Sequence, residues 1–143
     1  NKLRFLKGGP WEDKYASIYR SYDMDNGTIE VNLRQHYEGS SDMYIFMGNE
    51  YDCFDPNFRG YVLHWSTLNK MSLLVFSGND TPYRLVSMPV AYTLKNENLD
   101  DGMSISFGKN GQNFNVLING KLIMSANSAR YNDMSCAGLG MRP

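Results

Sequence analysis

Cysteine is scarce in this 143-residue chain: Cys53 and Cys136 are the only two, and they lie far apart. No Cys-x-x-Cys pair or Cys/His cluster exists, which argues against a structural zinc site. The two thiols either close one disulfide or sit separately in the interior, where free cysteine is commonly found. An excess of one charge is also missing. A net charge of −1 offers no concentrated basic surface, so nucleic acid bound through its phosphates is not expected. Long apolar runs are absent too. Leu73–Phe76 and Val116–Ile118 are among the longest and are far too short to span a bilayer as a helix, so membrane insertion is not expected. There is no Gly-x-Ser-x-Gly elbow, and neither Gly8-Gly9-Pro10 nor Gly138-Leu139-Gly140 has the flanks of a phosphate-binding loop. No signal peptide is visible. The chain begins at Asn1 rather than Met, which points to a mature or excised module of a larger protein.

Amphipathic helix patterns are nearly absent as well. What is present is a series of short β-branched, aromatic and aliphatic runs punctuated by Gly, Asn, Asp and Pro. The clearest stretch is Met103–Met124, where Ile105 and Phe107 alternate with Ser104 and Ser106, and Phe114, Val116 and Ile118 alternate with Asn113, Asn115 and Leu117. Asn110-Gly111 and Asn119-Gly120 bracket the second run. Asn-Gly favours a type I′ turn, whose twist matches the strands it joins, so three consecutive antiparallel strands are expected. A third Asn-Gly, Asn26-Gly27, precedes a run in which Ile29, Val31 and Leu33 share one face and Glu30, Asn32 and Arg34 the other. Further strands are expected at Met43–Met47, Tyr61–Ser66, Met71–Ser77, Tyr83–Met88, Tyr92–Lys95 and Ala137–Arg142. Pro89 interrupts a strand or marks an edge. The length fits one domain with no need of metal or disulfide staples, residues 1–143 forming a single all-β unit. About ten short strands point to a two-sheet antiparallel sandwich or a barrel.

The segment from Met103 through Asn119-Gly120-Lys121-Leu122-Ile123, closed by Ala137-Gly138-Leu139-Gly140-Met141, resembles the closing half of the concanavalin-like or laminin-G-like jelly roll. Asn26–Arg34, Gly60–Trp65 and Met71–Phe76 are similar to its early strands. The resemblance covers roughly Gly27 to Arg142. It implies a β-sandwich and a superfamily that includes lectins, carbohydrate-binding modules, glycan hydrolases and lyases, and adhesion domains; fold analogy alone does not choose among them. Glucanases of the superfamily carry a Glu-x-Asp-x-x-Glu strand, which is missing here: Glu30 has Asn32 and Arg34 as same-face partners. Hydrolysis needs two carboxylates across one bond. A proton-abstracting set of His64, Arg34 and Tyr44 is the alternative catalytic arrangement. The resemblance also makes Ca²⁺ an expected ion.

Sugars bind to rings that stack on their apolar faces and to planar polar groups that meet their hydroxyls. Two regions offer that mixture. One is an outward sheet face with Glu30, Asn32, Arg34 and Tyr44, joined by either Trp65 or His64 from the next strand; periodicity does not say which of the two. The alternative is that Tyr44, Phe46 and Trp65 are covered by a loop and serve as core. The other region is the loop from Asn49 to Gly60, with Tyr51, Phe58 and Arg59 as ligand contacts and Asp52 and Asp55 as oxygen donors for Ca²⁺. The simpler reading of that loop is a solvated turn capped at Asp55-Pro56. Trp11 anchors the first strand or stands exposed, and the nine methionines read as core filler. Asn26-Gly27-Thr28 and Asn79-Asp80-Thr81 fit N-glycosylation acceptors. The expected function is non-catalytic binding of a polysaccharide or glycan, outside the cell or at its surface, beside other domains of the same polypeptide. A laminin-G-like adhesion domain and a small glycan hydrolase or lyase are the rivals.

Overall fold

Alternation along the strands translates directly into burial. Val31, Met103, Ile105, Phe107, Phe114, Val116 and Ile118 are buried, while Glu30, Asn32, Asn113 and Asn115 between them are exposed. A computed structural model describes residues 16–21, 26–33, 42–50, 53–66, 70–89, 103–132 and 134–142. Ten strands follow one another: β1 (Ala16–Ser21), β2 (Asn26–Leu33), β3 (Asp42–Gly48), β4 (Arg59–Ser66), β5 (Lys70–Ser77), β6 (Tyr83–Pro89), β7 (Met103–Asn110), β8 (Asn113–Ile118), β9 (Lys121–Asn127) and β10 (Cys136–Arg142). Strand β1 was not expected from the sequence. Trp11, Arg34, Tyr51, Asp52 and the Tyr92–Lys95 run lie outside the described residues.

The strands form two antiparallel sheets. One has six strands in the order β1-β10-β3-β4-β5-β6, and the other has four in the order β2-β7-β8-β9. This is the two-sheet sandwich expected from the strand count. The chain crosses between sheets after β1, after β2, after β6 and after β9, so the sheets interlock in the jelly-roll manner. Between them lies one apolar layer. The six-stranded sheet contributes Met43, Ile45, Met47, Tyr61, Leu63, Trp65, Met71, Leu73 and Val75 to it. Six of the methionines are buried there, as filler of an irregular space. Tyr61 places its phenol in this layer without stranding it: the hydroxyl donates to Ser128 Oγ at 2.9 Å and accepts from Tyr131 N at 3.1 Å.

The closing hairpins differ from each other. Asn119 and Gly120 both have positive φ (50° and 78°), as a type I′ turn requires, and the Asn119 side chain accepts a hydrogen bond from Ser104 N at 2.9 Å. In the first hairpin Asn110 pairs with Asn113, so the turn residues are Gly111 and Gln112, and of these only Gly111 has positive φ. That corrects the expected Asn-Gly register by one residue and places the glycine first in the turn, as type II′ prefers. Asn26-Gly27 makes no turn of its own. Both residues belong to β2, and Asn26 Oδ1 accepts from Gly111 N at 2.8 Å. Pro89 ends β6, the last strand of its sheet among the described residues, where a residue without an N–H is tolerated.

Candidate functional site

The outer face of the six-stranded sheet is built around β3, whose residues from Met43 to Gly48 are all buried. A strand buried on both sides needs a cover on its outer side. Residues 53–58 supply it. Asn49 N donates to Arg59 O at 3.1 Å and Arg59 N to Asn49 Oδ1 at 2.6 Å, which fixes both ends of the loop. Asp55 Oδ1 accepts from Asn57 N at 2.7 Å, and Asp55 O from Phe58 N at 2.9 Å, an Asx turn just before Pro56 and Asn57. Phe58 then falls back onto the sheet. Its ring meets Phe46 edge-on at 5.7 Å and Phe76 at 5.9 Å. It covers Gly48, where an added Cβ would stand 2.5 Å from the ring. Tyr44, Phe46, Cys53, Phe58 and Val62 thus form a second apolar cluster, with Phe54, Leu74 and Phe76 against it.

Past this roof the same face becomes polar. His64 lies beside Tyr44 on the neighbouring strand, and their rings stack at 4.7 Å with planes 7° apart. The other side of Tyr44 meets the edge of Phe54 at 4.8 Å. Tyr44 is therefore only 8% exposed and gives its ring to packing. The Tyr44 hydroxyl reaches Asp42 Oδ2 at 3.5 Å, and His64 Nε2 approaches the same oxygen at 3.1 Å. That nitrogen is buried and lacks an aligned hydrogen-bond partner despite the short distance. Across β5 and β6 the row continues with Ser72 and Ser87, whose hydroxyls are 2.8 Å apart. Half-exposed Ser66 and exposed Lys70 lie beside it. Asp42, His64, Ser66, Lys70 and Ser87 form a polar patch with donors, acceptors and one carboxylate, the group types that meet sugar hydroxyls.

Several expected site residues fall elsewhere. Trp65 is fully buried between the sheets, and His64 is the member of that pair on the outer face. The reason is register: Trp65 pairs with Met43 and Met71 on the core side. Glu30 and Asn32 do not share a face with Tyr44. Strand β2 pairs with β7 in the four-stranded sheet, so they stand on the opposite side of the sandwich, where Ser104 Oγ donates to Glu30 Oε1 at 3.3 Å. Phe46 and Phe58 belong to the covered cluster. Arg59 is exposed at the start of β4. Arg34 and Tyr51 lie outside the described residues. Sequence reasoning missed Asp42, Ser72 and Ser87, which are ordinary polar residues until the register aligns them.

For Ca²⁺, the donor set is thin. Among the described residues no group of three His, Cys, Asp or Glu gathers. Asp55 has one carboxylate oxygen engaged in its Asx turn, and its expected partner Asp52 lies outside the described residues. The described residues alone therefore supply only part of the six to eight oxygens that Ca²⁺ takes. Cys53 and Cys136 are both buried and are not bonded to one another.

No protein-family model and no curated protein sequence matches this chain. Solved structures do. A carbohydrate-binding module of group 66 from Bacillus subtilis aligns over 93% of this chain and 76% of its own, with TM-score 0.62 and 11% identity. The carbohydrate recognition domain of Emp46p, in its metal-free form, covers 93% and 72% with TM-score 0.71 and 9% identity. A Bacillus licheniformis β-glucanase covers 86% of this chain and 55% of its own, with TM-score 0.58 and 11% identity. At such identities the likeness is one of fold: the chain has the two-sheet jelly-roll architecture of proteins named for binding carbohydrate and of one named as a glucanase.

Proposed function

We propose that this domain binds a glycan without cleaving it, through the polar end of the outer six-stranded face. The observation that carries the reading is the Asp42–His64 pair, 3.1 Å apart, with the imidazole held flat against Tyr44. A carboxylate and an imidazole fixed on a rigid sheet present the remaining carboxylate acceptors and the outer edge of the imidazole to vicinal hydroxyls at low conformational cost. The fold's sugar-binding neighbours support this reading. Its non-catalytic part is supported by where the two carboxylates on the described strands stand. Glu30 and Asp42 lie on opposite outer faces, so they cannot flank one glycosidic bond in the way glycan hydrolysis requires. Such a ligand is in keeping with a domain outside the cell or at its surface, as a module beside other domains of a larger polypeptide. A Ca²⁺ ion held in part by Asp52 and Asp55 is the further expectation, read by a rise in melting temperature on adding Ca²⁺ and its reversal by EDTA.

The test is retention on neutral polysaccharides by affinity gel electrophoresis, backed by a glycan array. Asp42→Asn and His64→Ala should each weaken binding about tenfold or more, the effect of one lost charge-assisted contact. Unchanged retention in both variants would sink the assignment of this face. Released reducing ends would overturn its non-catalytic part.

A further inference from the structure

A second cluster lies away from the polar face, at the end of the sandwich where β5 turns into β6. Its backbone is fixed from two sides. The segment after β9 is held by Ser128 N donating to Gln112 O at 2.8 Å, Arg130 N to Ser128 Oγ at 3.3 Å, and Tyr131 N to the buried Tyr61 hydroxyl at 3.1 Å. On the other side, Arg59 is clamped to Asn49 through both backbone groups, and Gly78 N donates to Phe58 O at 2.8 Å. The two halves meet at the turn. Tyr131 donates its hydroxyl hydrogen to Ser77 Oγ at 2.9 Å. Beside it Gly78 has φ of 72°, and a Cβ added there would lie 3.9 Å from Arg59 Nε. Arg130 places its guanidinium 5.9 Å from the centre of the Tyr131 ring.

The Tyr131 phenol thus has the Arg130 guanidinium over its ring and the charge of Arg59 near enough to act on it. Both arginines are exposed, and among the described residues neither closes an ion pair with a carboxylate. Asp80 acts on Arg130 only weakly, behind Tyr131 and Tyr83. Next to them Tyr83 is 42% exposed, one of two large hydrophobic side chains so exposed among the described residues. Burial raises the Tyr131 phenol, yet its bond to Ser77 and the charges of Arg130 and Arg59 outweigh this and bring it below the ordinary tyrosine range, a sign of positive potential at this point.

We propose that this end of the sandwich is a binding site for an acidic saccharide, with Arg59 and Arg130 taking its carboxylate or sulfate group and Tyr83 offering a ring face to the sugar. Guanidinium matches either anion bidentately, and a tyrosine ring stacks on the apolar face of a pyranose. The saccharide part rests on the glycan-binding reading above; the anion part rests on the two arginines alone.

The experiment uses oligogalacturonate and dextran sulfate as carboxylate and sulfate probes, neutral dextran as control, and isothermal titration at low salt. Wild-type protein should bind at least one charged probe, and added salt should weaken it, since exposed charges are screened. The double variant Arg59→Gln/Arg130→Gln should lose at least tenfold in affinity, Tyr83→Ala severalfold, and Lys121→Gln nothing. All four positions are exposed, so folding is checked by an unchanged melting temperature. Failure to bind either charged probe overturns the proposal, as does a double variant that binds like wild type. Competition by inorganic sulfate as potent, per anionic group, as the polymer would overturn the saccharide part. Neutral-glycan retention by the double variant reads the sheet face on its own, so the two readings can fail separately.

Discussion

His64 and Trp65 are chain neighbours that serve opposite sides of one strand: the imidazole lies flat on Tyr44 outside the sheet, and the indole is fully buried inside it. The two positions therefore respond differently to substitution. His64→Ala removes one member of a stacked pair, worth about 0.5–1.5 kcal/mol beyond area burial. Urea unfolding should show a loss of about 1–2 kcal/mol, with the fold retained and glycan retention reduced. A variant that keeps full binding with the same loss of stability would make His64 a packing residue only.

Trp65 carries a different expectation. Trp65→Ala leaves a cavity in the main core and should cost about 3–5 kcal/mol. Yet the indole Nε1 is buried with no hydrogen-bond partner among the described residues. Trp65→Phe gives up volume but also removes that stranded donor, whose desolvation costs about 1–3 kcal/mol. The phenylalanine variant should thus be much closer to wild type than the alanine variant in denaturant midpoint. Equal losses would mean that the indole nitrogen is satisfied in solution.

The same pair shows what was legible in the sequence. The strands of the four-stranded sheet alternate because one face is wet, and that alternation by itself marks Ile105, Phe107, Phe114 and Val116 as an inward face. On β3 and β4 the alternation fails. Met43–Gly48 are buried on both sides because residues 53–58 fold back over the sheet, so Tyr44 and Phe46 look as apolar as Ile45 and Met47. Periodicity then has nothing to distinguish, and Trp65 could not be told from His64. Nor does spacing reveal sheet membership: Glu30 and Tyr44 are near in sequence but belong to different sheets. The Arg59–Tyr131–Arg130 cluster was invisible for a related reason, since it is joined through long-range contacts to Tyr61 and Ser77.

The roof itself is testable at Phe58, which is fully buried and edge-on to two other phenylalanines. Phe58→Ala should cost about 3–5 kcal/mol and open residues 49–58 to protease before the rest of the domain. Gly48→Ala should act in the same direction, because its new methyl would stand 2.5 Å from the Phe58 ring. Limited proteolysis followed by mass spectrometry locates the first cut. A first cut elsewhere would show that the loop is not held by this ring.

The hairpin turns separate backbone strain from packing. Gly111 has φ of 59° and nothing within 4 Å of an added Cβ, so Gly111→Ala meets no steric obstacle but must hold a left-handed conformation. Its cost should be about 1–2 kcal/mol. Asn119→Ala should cost a comparable amount for two reasons, since φ is 50° there and the side chain also accepts from Ser104 N. Gln112→Ala, at a position without positive φ, should be close to neutral. Thermal or urea unfolding of the three variants gives the order. A large loss at Gln112 would return the turn to the Asn110-Gly111 register.

Tyr131 sets the alkaline behaviour. Its phenol titrates below the ordinary tyrosine value because the bond to Ser77 and the guanidiniums of Arg130 and Arg59 outweigh the opposing effect of burial. A tyrosine in the unfolded chain ionises at about 10. Between the folded value and that point the unfolded chain holds more protons, so this group adds stability as pH rises. The contribution is complete above the unfolded value and is lost as pH falls through the folded one, so at neutral pH it is nil. Ring-labelled tyrosine NMR should find Tyr131 ionising ahead of exposed tyrosines, and Arg130→Gln should move it upward. If Arg130→Gln leaves the Tyr131 midpoint where it was, the guanidinium is not held over the ring in solution, and the acidic-saccharide site loses one of its two cations.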